Sequence, residues 1–146
     1  MRKVIIEEEV MNSFLNIQRS HDFRKEIGGI IIGKLDSKRM CLSITDISFP
    51  FSNDKSFRFR FIRNSEGHQQ EMDTIWEQSN HKKSYLGEWH THDQDCPVPS
   101  IIDKRTWIRI SKQDHNFDQC CFIIVGHKEL GLWITTDGEI IKQDGV

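Results

Sequence analysis

The run Cys120–Val125, read within "QCCFIIVGH", constrains the fold most. It carries six apolar side chains in a row and a strand's length. Successive side chains in a strand point to opposite faces, so Cys120 and Cys121 lie on different sides and both sides are apolar. A strand of this kind is buried and needs cover from the elements around it. "GLWITTDGEIIKQ" follows it, and Asp137-Gly138 between two strand-like runs announces a hairpin.

Upstream, residues 8–18 place Val10, Phe14 and Ile17 at helical spacing, which predicts an amphipathic first helix. "EIGGIIIGKL" is β-branched, and Gly28, Gly29 and Gly33 imply a bend or a close backbone approach. Residues 41–49 and 57–62 read as further strands. In the second of these, Phe57, Phe59 and Phe61 alternate with Arg58 and Arg60, giving one apolar and one basic face. Residues 65–81 read as a helix with Ser65 as N-cap and a stripe of Met72, Ile75, Trp76 and Ser79. "SYLGEWH" is a strand, and residues 100–112 form a third helix. The expected order is helix, three strands, helix, strand, helix, three strands. This is an α/β chain, 1–146 as a single domain, with a central mixed sheet flanked by about three helices.

Composition excludes several functions. The net charge is −2 with 29% charged residues, interspersed in sign, so no broad field favours nucleic acid or an anionic membrane. No apolar run approaches the ~20 residues of a membrane-spanning helix, and "MRKVIIEEEV" turns acidic too early for a signal peptide. The four cysteines lack the spacing of a disulfide framework, which suggests reduced thiols in a cytoplasmic protein. Cys41, Cys120 and Cys121 read as small core residues. Trp76, Trp107 and Trp133 read as core, and Trp89 points away from the histidine face and packs. His21, His68, His81, His115 and His127 have no partners at ligand spacing and read as surface or hydrogen-bonded residues.

Chemistry concentrates in "GEWHTHDQDCPVPSIIDKRTW". Residues two apart in a strand share a face, with Cα atoms roughly 6.6 Å apart. The imidazoles of His90 and His92 can therefore converge on one ion. Ser100-x-x-Asp103 opens a helix and, taken alone, is a capping box. An N3 carboxylate nevertheless sits at the positive end of the helix dipole and can face the strand end. The seven-residue loop with Pro97 and Pro99 can fold the helix start back over the histidines. Two His and one Asp would leave a fourth position for water, the arrangement of a catalytic rather than a structural zinc.

The full pattern, His-x-His-x7-Ser-x2-Asp, resembles the JAMM signature of the MPN (Mov34/JAB) zinc metallopeptidases. "KEIGGIIIG" is similar to the glycine-rich strand that carries a distant Glu in that family. The resemblance implies His90, His92 and Asp103 as ligands of one Zn2+ with a bound water, Glu26 as general acid/base, and Ser100 as support for the tetrahedral intermediate. By strand geometry alone Glu88, two residues before His90, is as good a base; position in the family favours Glu26. Many family members have Pro after the second His, where this chain has Asp93. Cys96 is an additional thiol, either a loop residue without metal contact or a ligand that blocks the water position.

"YLGEWHTH" with Pro-x-Pro-Ser and Asp103-x-x-x-Trp107 resembles a bacterial branch found in integrative elements and in antiphage (CBASS) operons with cyclic-oligonucleotide synthases. There E1/E2-like proteins attach the synthase C-terminus to targets, and the JAMM enzyme removes it. The resemblance implies a deconjugating isopeptidase acting on a ubiquitin-like or synthase (CD-NTase) tail. A non-catalytic MPN scaffold is the alternative, separated by zinc stoichiometry. A zinc nucleotide deaminase needs Cys-x-x-Cys, which the chain lacks.

Overall fold

The computed structural model describes residues 3–36, 38, 40–50, 55–57, 60–62, 65–113, 115 and 117–144. In chain order the elements are β1 (Lys3–Ile6), α1 (Glu8–Ser20), β2 (Gly28–Asp36), β3 (Cys41–Ile47), β4 (Lys55–Phe57), β5 (Arg60–Ile62), α2 (Ser65–Gln78), β6 (Ser84–Thr91), α3 (Ile101–Ser111), β7 (Cys120–Val125), β8 (Leu130–Thr136) and β9 (Glu139–Gln143). Seven strands form one mixed sheet in the order β1-β3-β2-β6-β7-β8-β9, and β4 pairs with β5 apart from it. β1 runs parallel to β3 and β6 parallel to β7, while the other neighbours are antiparallel. The fold is α/β with helices on both faces of the sheet.

β7 behaves as its composition requires. Cys121, Ile123 and Val125 join Val10 and Phe14 of α1 in the larger core. Cys120, Phe122 and Ile124 face Trp107 and Ile110 of α3 on the other side, together with Trp133. Ile30 and Ile32 of β2 pack on Met72 of α2. Burial pushes the Cys120 thiol up to about 11 and the Cys121 thiol further, as expected of inert core thiols. Trp89 is 1% exposed, edge-on to Phe14 at 5.6 Å. Trp76 is half-buried rather than core, and its indole stacks on His81 at 3.7 Å.

Four local expectations change. The run 57–62 is not one strand but parts of two paired ones, with Phe57 opposite Arg60. Alternation has the same period in both arms of a hairpin and cannot reveal the turn; its side-chain faces lie outside the described residues. Ser65 is the first residue of α2 rather than its cap. α2 stops at Gln78 because Asn80 and His81 adopt left-handed φ values of 54° and 64°, and the His81 N–H closes back on the Trp76 carbonyl. β1 was not expected: four residues with alternating exposure give a weak period.

Candidate metal centre

The site forms where β6 ends. His92 extends the parallel pairing by donating its N–H to the Val125 carbonyl. Beside it, Gly28 pairs with His90 and Gly29 with Trp89. Just before β2, Ile27 is laced to Thr91 twice: its N–H donates to the Thr91 hydroxyl at 3.0 Å, and its carbonyl accepts from the Thr91 N–H at 2.9 Å. This places Glu26 against the rings. A Cβ at Gly29 would collide with the Ser48 carbonyl oxygen, so only glycine lets the end of β3 lie this close. Ser48 then ties the strands together. Its hydroxyl accepts from the Ile30 N–H at 2.8 Å and bonds His68 Nδ1 of α2 at 2.6 Å. Its carbonyl accepts from the Trp89 indole at 2.9 Å.

From the other side, α3 delivers Asp103. The capping box is complete: Ser100 Oγ accepts the Asp103 N–H at 3.0 Å, and Asp103 Oδ2 accepts the Ser100 N–H at 2.8 Å. The same carboxylate faces both rings, with Oδ1 at 3.3 Å from His90 Nε2 and Oδ2 at 3.2 Å from His92 Nε2. The two Nε2 atoms are 3.0 Å apart. Glu26 Oε1 stands 3.7 Å from His92 Nε2, and Glu26, His90 and His92 alone already form a group able to hold a metal.

These distances suit a small four-coordinate cation. Bonds of ~2.0–2.1 Å to the corners of a tetrahedron put the donor atoms roughly 3.3 Å from one another. The donor set, two imidazole nitrogens and a carboxylate, is one that zinc takes.

The two carboxyl groups differ electrostatically. Burial raises Glu26 to about 7 against the opposing pull of His90 and His92. Burial also acts to raise Asp103, but hydrogen bonds with both rings and with the Ser100 N–H hold it well below the ordinary carboxylate range. For His92, burial opposes the charged form, and Asp103, Glu26 and Gln94 outweigh it, so its pKa is raised.

All five expected site residues therefore meet here, Ser100 at the rim and the other four inside. Glu88 does not join them: its Oε2 accepts from the Tyr85 hydroxyl at 3.2 Å, further back along β6. Cys96 is exposed, and its thiol is turned toward Glu129. Sequence reasoning missed Ser48 and Gln94; His68, read as a surface or hydrogen-bonded residue, is hydrogen-bonded and buried. Only the tight Gly29 hinted at Ser48.

The chain belongs to the family of prokaryotic homologs of the JAB domain, whose pattern matches residues 8–136. It is 36% identical to a CD-NTase/cGAS isopeptidase of Escherichia coli (strain TW11681), over 97% of this chain and 84% of that protein. It is 34% identical to a CD-NTase/cGAS isopeptidase of Vibrio cholerae serotype O1 (strain ATCC 39315 / El Tor Inaba N16961), over 88% and 80% respectively. The fold matches that of protein DSY2949 from Desulfitobacterium hafniense, solved in solution. The TM-score is 0.63 at 14% identity, with 98% of this chain and 91% of that one covered.

Proposed function

We propose that this protein is a zinc-dependent isopeptidase that cuts the amide bond joining the C-terminal tail of a CD-NTase to its target. The observation that carries this reading is the triangle of His90, His92 and Asp103 at 3.0–3.3 Å with Glu26 beside it. The name CD-NTase/cGAS isopeptidase borne by relatives in Escherichia coli and Vibrio cholerae supports the substrate class.

His90, His92 and Asp103 would hold the ion. When bound, zinc supplies an activated water at neutral pH and a Lewis acid for the scissile carbonyl. Asp103 suits the holding role because it stays ionised and faces both rings. Glu26 suits the acid/base role: it stands beside the rings, 3.7 Å from His92 Nε2, and burial favours its protonated form, so it can accept a proton from water and return it to the leaving lysine amine. Ser100 Oγ uses a lone pair for the cap, which leaves its O–H free to donate to the oxyanion. No covalent acyl-enzyme is needed. CBASS antiphage defence is the corresponding setting, with E1/E2-like proteins as operon partners that build the conjugate; no helix among the described residues is long and apolar enough to cross a membrane.

The test is a conjugate of a CD-NTase tail on a target lysine. Incubation should release the intact tail and target, chelator should stop release, and added zinc should restore it. Absence of release from a zinc-loaded protein refutes the substrate assignment, and a protein that takes up no zinc refutes the metal.

A further inference from the structure

His92 is followed not by a proline but by Asp93-Gln94, and these residues fasten the loop to the β7–β8 turn. The Gln94 N–H donates to the His92 carbonyl at 2.9 Å, and the Gln94 carbonyl accepts the His127 N–H at 2.7 Å. Asp95 accepts from the N–H groups of Lys128 and Glu129, both at 3.1 Å. The His127 ring meets Asp93 Oδ1 at 2.6 Å. Gly126 lets the two segments touch: a Cβ there would sit 2.7 Å from the Gln94 carbonyl oxygen and 2.9 Å from that of Asp95. Gln94 thus has an anchored backbone.

Its side chain is anchored as well. Gln94 Oε1 lies 3.0 Å from the Val98 backbone nitrogen and 3.3 Å from His92 Nδ1. A backbone N–H can only donate, so the amide atom facing it is the oxygen, which carries no proton. His92 Nδ1 must then supply the hydrogen. An imidazole with its proton on Nδ1 has a bare lone pair on Nε2, the nitrogen that faces His90 and Asp103.

We propose that Gln94 is the positioning residue of the metal centre: clamped between the Val98 N–H and the β7–β8 turn, its side-chain oxygen fixes the His92 tautomer and aims Nε2 at the ion. This rests on His92 being a ligand, as argued above. Partners of this kind on a ligating histidine set tautomer and orientation, and losing one typically costs ~10–100-fold in metal affinity.

Two measurements test it. In zinc-loaded wild-type protein, long-range 1H–15N spectra of the His92 ring should show the remaining proton on Nδ1; a proton on Nε2 overturns the proposal without any variant. Zinc affinity by chelator competition should fall ~10–100-fold in Gln94→Leu, which keeps the shape but not the acceptor. In Gln94→Glu, which keeps the acceptor, it should stay near wild type. Equal zinc affinity in wild type and Gln94→Leu overturns the proposal. A wild type that binds no zinc instead refutes the metal reading itself, on which the proposal rests.

Discussion

Replacing the two site carboxylates by their amides, one at a time, separates holding the ion from moving the proton. Asp103 lies 3.3 and 3.2 Å from the two ring nitrogens, whereas Glu26 lies 3.7 Å from one of them. Asp103 stays ionised under all ordinary conditions, and Glu26 titrates near neutrality. Glu26→Gln keeps the volume but can neither take nor return a proton. General acid–base help is worth ~10²–10⁴-fold, so kcat should fall by that factor, a barrier increase of about 3–5 kcal/mol. Zinc affinity should be unchanged, and extra zinc should not rescue the rate. Asp103→Asn removes an anionic contact shared by both rings. Since disturbing only the outer partner of a ligand costs ~10–100-fold in affinity, this change should cost at least as much, and saturating zinc should restore part of the activity. Glu88→Gln, bonded to Tyr85 outside the cluster, should cleave at the wild-type rate. The assay is conjugate cleavage on gels beside zinc titration against a chelator. A Glu26→Gln variant that cleaves normally, or one that sheds zinc as Asp103→Asn does, would refute the division of roles.

Ser48→Ala removes the acceptor of the buried Ile30 N–H and the partner of His68 Nδ1. At ~1–3 kcal/mol per stranded group this should cost about 2–6 kcal/mol in denaturant unfolding. Adding His68→Leu should then cost less than the sum of the single changes, and strict additivity would refute a direct bond. Ser100→Ala should lower stability by ~0.5–2 kcal/mol through the lost cap and hydrolysis by ~10²–10³-fold through the lost donor. Ser100→Asp, which caps but has no hydroxyl proton, should regain stability and stay slow; wild-type cleavage by it would remove the oxyanion role. Cys96→Ala should leave cleavage and zinc affinity unchanged, since the thiol turns to Glu129; a raised rate would revive the blocking-ligand alternative.

The meeting of His90, His92 and Asp103 was legible because they lie in two short segments whose local geometry is nearly forced. A strand places His90 and His92 on one face, and a capping box places Asp103 at the first turn of α3. The strands β7, β8 and β9 were legible for a similar reason, through continuous apolar runs and a turn dipeptide. The choice between Glu26 and Glu88 was not, because it depends on which strand neighbours β6, and pairing partners leave no period in a sequence. Gln94 was invisible for another reason: its contacts run to Val98 and His127, and nothing in a polar loop announces a backbone clamp. The split of residues 57–62 into β4 and β5 shows the converse limit, a clean alternation that continues through a reversal of the chain.

The capping box has one consequence for how the centre is assembled. Ser100 and Asp103 hold each other through the start of α3, and the histidines are fixed by strand pairing. The binding geometry is thus paid for by folding rather than by the ion. Small zinc modules collapse when stripped because the metal is their keystone; here the chain's own strand pairing and capping bonds position the donor atoms. Material made under metal starvation should accordingly be dormant but native, and revived by simple addition of the cation without passing through an unfolded chain.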